Sequence, residues 1–209
     1  MRLLVIDTAT QALSVALLED GAPVARFHEI VGRGHAEALL PAIAALPGGG
    51  RADAIAVNVG PGSFTGVRIG IAAARALALA WQLPLRGYSA PSLIAAQAAQ
   101  LHAGDGPIAV TITGGHGELF WQCFTADGLN ATNPVASTPI AALATQLDID
   151  TLYGTGAEAL VTARGHGAAV NLYPDAADYG LIAAQPALPA TPIYGRGADA
   201  QTMAERAAS

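Results

Sequence analysis

The chain has 209 residues, 52% of them hydrophobic and only 12% charged, with a formal net charge of -6. That composition excludes a disordered or solvating polypeptide. It also argues against a protein that grips nucleic acid over its own surface, because the 10 basic residues are scattered rather than clustered.

A single cysteine, Cys123, rules out an internal disulfide and suits a reducing compartment. It lies in an apolar alternating run and reads as a core thiol. No stretch reaches the roughly 20 uninterrupted apolar residues of a membrane span. The N-terminus enters a strand pattern with no cleavage site, so the expected location is cytoplasmic.

Arg2 to Ile6 is an apolar strand pattern ending in the polar turn Asp7-Thr8-Ala9-Thr10. Leu13 to Leu18 and Pro23 to Ile30 read as two further strands joined by Glu19-Asp20-Gly21, which is hairpin chemistry. His35 to Leu46 has helical spacing, disturbed by Pro41 and ended by Pro47-Gly48-Gly49-Gly50. Ala54 to Val59 is a buried strand, Gly60-Pro61-Gly62-Ser63 a tight loop, and Phe64 to Trp81 a long helix. Leu83 to Tyr88 and Pro91 to Leu101 add a strand and a helix.

His102 to Gly106 is the expected boundary between an N-terminal lobe of residues 1–104 and a shorter lobe of residues 105–209. Ile108 to Thr113 and Glu118 to Thr125 form a hairpin pattern around Gly114-Gly115-His116-Gly117. A strand at Thr151 to Tyr153, a helix from Ala157, a strand over Ala168 to Tyr173 and a helix over Ala176 to Ala184 follow. From Pro186 the tail reads as an extended surface segment. The predicted fold class is α/β. Three strands, helix, strand, helix, strand is the order of one lobe of the actin, sugar-kinase and Hsp70 superfamily, an order shared by ribonuclease-H-like domains.

Two segments bear on chemistry. Asp7, Thr8 and Thr10 close the first strand, where a carboxylate suits Mg²⁺ and a turn offers backbone N–H groups to phosphate; the other reading is that Asp7 caps the turn. Gly60, Gly62 and Ser63 precede a helix N-terminus, an anion seat in principle, but the loop lacks the Lys of a P-loop and reads equally as a structural turn. The helix beyond it carries small residues every fourth position (Gly66, Gly70, Ala74, Ala78) and apolar residues on its other side (Val67, Ile71, Leu79). A helix apolar nearly all round needs cover on both sides. With the helix from His35 beside it, a two-helix docking face is expected.

Ile6 to Thr10, His35-Ala36-Glu37-Ala38-Leu39-Leu40-Pro41 and Gly60 to Gly70 together strongly resemble the TsaB (YeaZ) family over about the first hundred residues. Gly117 to Trp121 and Pro192 to Arg196 look like family remnants in the second half. The resemblance implies an actin-like ATPase (ASKHA) fold of two βββαβα-type lobes, the second shortened. It implies a non-catalytic subunit that works with TsaD and TsaE homologues to form threonylcarbamoyladenosine beside the anticodon of tRNAs reading codons that begin with adenine. TsaB relatives dock on TsaD through the two helices of the first lobe and form homodimers through the same face. By match, docking falls at His35, Leu39, Leu40, Ile43, Val67, Arg68, Ile71 and Arg75. ATP or ADP with Mg belongs to the assembled complex, and tRNA is reached only through it.

Three departures accompany the resemblance. The His-x-x-x-His metal pair of TsaD-like relatives is absent, since Leu39 stands one turn after His35, and Ala9 replaces the Gly of nucleotide-hydrolysing members. Thr113-Gly114-Gly115 stands where many family members carry Asp-Ala-Arg, so contacts between the lobes are not carried over. The alternative reading is a free-standing ATPase or small-molecule kinase using Asp7 and the Gly60 loop.

Overall fold

In this computed structural model, the described residues are 1–101, 104 and 106–193. Strands β1 (Arg2–Asp7), β2 (Ala12–Glu19) and β3 (Ala22–Ile30) form an antiparallel meander. Helix α1 (His35–Ala45) leads to β4 (Ala54–Asn58), which pairs parallel with β1. Helix α2 (Phe64–Trp81) leads to β5 (Leu85–Tyr88), parallel to β4, and α3 (Ala90–Ala99) follows. The sheet order is β3-β2-β1-β4-β5.

The two-residue period of the strands sorts this sheet's side chains. Leu4, Ile6, Leu13, Val15 and Leu17 join Leu39 and Ile43 of α1 and Val67, Ile71 and Ala74 of α2 in one core. Leu3, Val5, Ala16 and Leu18 form another core with Leu93 and Ala96 of α3. Helix α3 also sends Ile94, Ala95 and Ala98 into the first core, alongside Ile108, Val110 and Ile112 of the second sheet. Its alanines make this double burial feasible, because small side chains let backbone approach from both sides.

The second sheet is built from β6 (Ile108–Gly115), β7 (Glu118–Phe124), β8 (Ala136–Pro139), β9 (Thr151–Tyr153) and β10 (Ala168–Val170). Helix α4 (Ile140–Gln146) follows β8, and α5 (Ala157–Arg164) follows β9. Its order, β10-β9-β6-β7-β8, read from the β8 end, repeats the wiring of the first sheet. The third crossover helix is here replaced by a 3-10 segment, Ala176–Ile182.

Helix α1 runs through Pro41 to Ala45, close to the expected His35 to Leu46; Pro41 and Glu37, whose carbonyl loses its donor, are both exposed to solvent. Other expectations change. Helix Ala176 to Ala184 is a 3-10 segment, and the strand from Ala168 ends at Val170. Strand β8 and helix α4 had no counterpart in the sequence reading. Although α2 is long and apolar enough by composition to cross a membrane, Val67, Gly70, Ile71, Ala74 and Ala78 lie buried on the sheet.

The chain then returns to the first sheet. Ala176, Ala177, Tyr179 and Ile182 pack under Leu3, Val5 and Tyr88. Further on, Leu188 exchanges backbone hydrogen bonds with Gly87 at 2.7 and 3.0 Å, and the Ile193 amide donates to the Val59 carbonyl at 2.8 Å. The expected lobe boundary at residue 104 lies between α3 and β6, but residues 175–193 pack on the first sheet. His102, Ala103, Asp105, Tyr194 to Arg196 and the rest of the tail lie outside the described residues.

Candidate functional site

The turn after β1 lies against the Gly60–Gly70 segment as a tight clasp. The Ser63 amide donates to the Ala9 carbonyl at 2.7 Å. The Thr8 hydroxyl donates to the Gly66 carbonyl at 2.7 Å, and the Ser63 hydroxyl caps α2 by accepting from the Gly66 amide at 3.2 Å. A Cβ on Gly62 would stand 2.1 Å from the Ala9 carbonyl oxygen, so only glycine permits this approach. The Thr10 hydroxyl accepts from the Ala12 amide at 3.3 Å and is itself buried.

Asp7 is 1% exposed and turns away from the cleft toward the α3 side of the sheet. One carboxylate oxygen accepts from the Ala9 amide at 3.0 Å. The other accepts from the Asn58 side-chain amide and, at 2.9 Å, from the Tyr88 hydroxyl. The Asn58 carbonyl oxygen in turn accepts from the Gly60 amide at 2.7 Å. Three neighbouring strand ends are thereby tied to one carboxyl group. Burial pushes its pKa up to about 7, opposed by the hydrogen bonds from Asn58, Ala9 and Tyr88. Burial, with the Asp7 charge beside it, raises the Tyr88 phenol well above its ordinary value.

Between the lobes, Ala9, Thr10, Gln11, Ser63, Thr113 and Thr155 line a cavity of about 120 Å³. Small-molecule sites usually occupy roughly 300–1,000 Å³. Thr113 is also engaged, its hydroxyl donating to the Thr155 carbonyl at 3.1 Å. A Mg-nucleotide does not fit this arrangement: the cavity is small and both oxygens of the nearest carboxylate are already taken. Of the residues expected near nucleotide, Thr10 and Ser63 line the cleft, while Asp7, Thr8, Gly60 and Gly62 build the structure behind it.

The residues expected to dock a partner divide in two. His35, Leu39, Ile43, Val67 and Ile71 are each under 5% exposed and face the sheet, with His35 Nε2 placed 3.2 Å from the Ala12 carbonyl oxygen. They cannot form an outer face unless the fold opens. Leu40, Arg68 and Arg75 do face solvent. They are accompanied by Phe64 and Leu79, at 60% and 82% exposure, which the matched set omits. The Arg68 guanidinium lies 3.5 Å over the Phe64 ring, and Arg75 donates to the Ala190 carbonyl at 2.8 Å. The outward-facing residues share one period, Phe64, Arg68, Ala72, Arg75 and Leu79, one turn around from the buried stripe. Asn58 and Tyr88 were also absent from the sequence reading; their signal is a polar atom ending each of two apolar strands that pair in register.

A family model described as "TsaD: tRNA N6-adenosine threonylcarbamoyltransferase" matches residues 28–165. The tRNA threonylcarbamoyladenosine biosynthesis protein TsaB of Escherichia coli is 42% identical over 132 residues, 61% of this chain and 56% of that one. The matched stretch spans about half the length of the curated TsaB relatives. The solved structure of YeaZ from Pseudomonas aeruginosa superposes with a TM-score of 0.76 at 31% identity, covering 92% of this chain and 99% of that one. The ethanolamine utilization protein EutJ of Carboxydothermus hydrogenoformans, at 15% identity and a TM-score of 0.51, shares the fold alone.

Proposed function

The chain belongs to the TsaD family and, within it, to the TsaB (YeaZ) branch, and we propose that it is a non-catalytic docking subunit. Its partner is a TsaD-type transferase, joined by a TsaE-type ATPase. Together they form the threonylcarbamoyl group on the adenosine next to the anticodon of tRNA; the E. coli relative is named for tRNA threonylcarbamoyladenosine biosynthesis.

The observation that carries this reading is the outer face of α1 and α2. Leu40, Phe64 and Leu79 stand 54%, 60% and 82% exposed on helices whose opposite sides are already buried in the core. Exposed apolar side chains grouped on one helical layer are costly in water and suit a partner surface. In the chain alone, a second copy covers the same face. The buried, fully hydrogen-bonded Asp7 and the 120 Å³ cleft count against a free-standing ATPase or kinase. Nucleotide and Mg then act in the assembled complex, and tRNA is held by the partner rather than by this acidic chain.

Light scattering on a sizing column tests the reading, with the chain alone and mixed with the TsaD homologue of the same organism. A homodimer that converts to a one-to-one heterodimer is expected. A chain that stays unchanged in the mixture overturns the docking role.

A further inference from the structure

At the end of the first sheet away from the cleft lies a second pocket, of about 310 Å³, lined by Met1, Leu3, Leu18, Asp20, Arg86 and Tyr179 among others. It opens on the α3 side of the sheet, because Leu3, Leu18 and Tyr179 belong to that core. The pocket is therefore separate from the α1–α2 face.

Leu3, Leu18 and Tyr179 make its lining apolar, each 5% exposed or less. Two pairs of charges around it are matched. The Met1 ammonium donates to Asp20 at 2.6 Å, and Arg2 pairs with Glu19. Arg86 differs. Its Nε is buried with no hydrogen-bond partner, and among the described residues no carboxylate reaches its guanidinium. The group instead lies over the Tyr179 ring, 5.3 Å from the centroid. A guanidinium does not give up its proton, so it cannot escape the cost of partial burial by neutralising.

We infer that this pocket binds a small monocarboxylate with an apolar body. The planar guanidinium of Arg86 matches a carboxylate as a two-bond fork, and Leu3, Leu18 and Tyr179 enclose the body. The volume lies at the small end of the range for ligand sites. Asp20 at the rim and the net charge of -6 disfavour a phosphate dianion at the same place.

The test titrates the whole chain with benzoate, with its neutral amide benzamide and with inorganic phosphate, followed by nuclear magnetic resonance. Benzoate is expected to give saturable shifts at Leu18, Tyr179 and Gly180, with phosphate and benzamide at least tenfold weaker. Arg86→Met, checked for fold by circular dichroism and for docking to the TsaD homologue, is expected to weaken benzoate by about tenfold or more, the worth of a charge-assisted pair. Equal binding of benzamide or phosphate, undiminished binding by Arg86→Met, or no saturable shift by about 10 mM benzoate overturns the site. None of these results bears on the docking face.

Discussion

The Thr8 hydroxyl donates to the Gly66 carbonyl at 2.7 Å, while the Thr8 carbonyl oxygen occupies the space a Cβ on Gly66 would need, 2.1 Å away. Two backbones meet here at a distance that no side chain allows. In an exposed helix, glycine to alanine stabilises by about 1 kcal/mol. At this position the sign reverses, since the added methyl must push the β1 turn off α2. Gly66→Ala is expected to cost about 2–4 kcal/mol in urea unfolding. A variant as stable as the parent would show that the clasp yields easily.

The buried carboxyl of Asp7 gives stability a particular pH dependence. Its pKa is about 7 in the folded chain, against 3.8 for the ordinary group. The folded state therefore binds the proton more tightly than the unfolded one. The resulting stabilisation is complete below about pH 3.8 and is lost as pH rises through about 7. The Asp7 carboxyl carbon should titrate near 7 by nuclear magnetic resonance. The parent's urea midpoint should decline between about pH 4 and 7, and changing Asp7 to Asn should remove that decline. A carboxyl titrating near 4, with parent and variant midpoints running parallel, contradicts this.

Much of the first lobe is legible from sequence because its signals are local. Apolar runs of Leu, Val and Ile end at polar turns, and Ser63 caps a long helix. Helices α1 and α2 were legible as apolar, yet not as oriented. Periodicity places Leu39 and Leu40 on adjacent faces, but when both faces are apolar only the sheet decides which one is inside. Strand β8, Ala-Ser-Thr-Pro, is four residues with little apolar content, held by pairing with β7, including Phe120 with Ser137. Such a strand is defined by its neighbour. The Asp7 network joins residues 51 and 81 positions apart, beyond any local signal.

Neighbouring leucines on α1 separate folding from docking. Leu39 is 1% exposed inside the core and Leu40 is 54% exposed beside it. Leu39→Ala is expected to lose about 2–5 kcal/mol of stability through transfer and cavity costs. Leu40→Glu should change stability by less than about 0.5 kcal/mol. With Leu79→Glu added, it should abolish both homodimer and heterodimer on the sizing column while circular dichroism stays native. If the doubly charged variant still assembles, the partner covers another surface.

Beside the apolar packing and the Leu188 and Ile193 backbone bonds, one polar cluster ties the returning chain to the first sheet. Asp175 caps the 3-10 segment by accepting from the Ala177 amide at 3.0 Å, and it pairs with Arg26 at 3.0 Å. Ser14 donates to Asp175 at 3.2 Å and accepts from the Ala176 amide at 2.8 Å. Ser14 lies on β2 opposite Asp7, so strand and segment are stitched 161 residues apart. Arg26 is largely exposed and contributes little on its own. The buried bonds matter more, because losing Asp175 leaves the Ala177 amide without its acceptor and the Ser14 hydroxyl with only the bond it accepts from the Ala176 amide. Asp175→Ala is therefore expected to speed amide exchange at Ala176, Ala177 and Leu188 at least tenfold, while β6 and β7 amides keep their protection. Equal acceleration in both sheets would instead mean that the lobes unfold as one unit, with the segment holding no part of the first sheet separately.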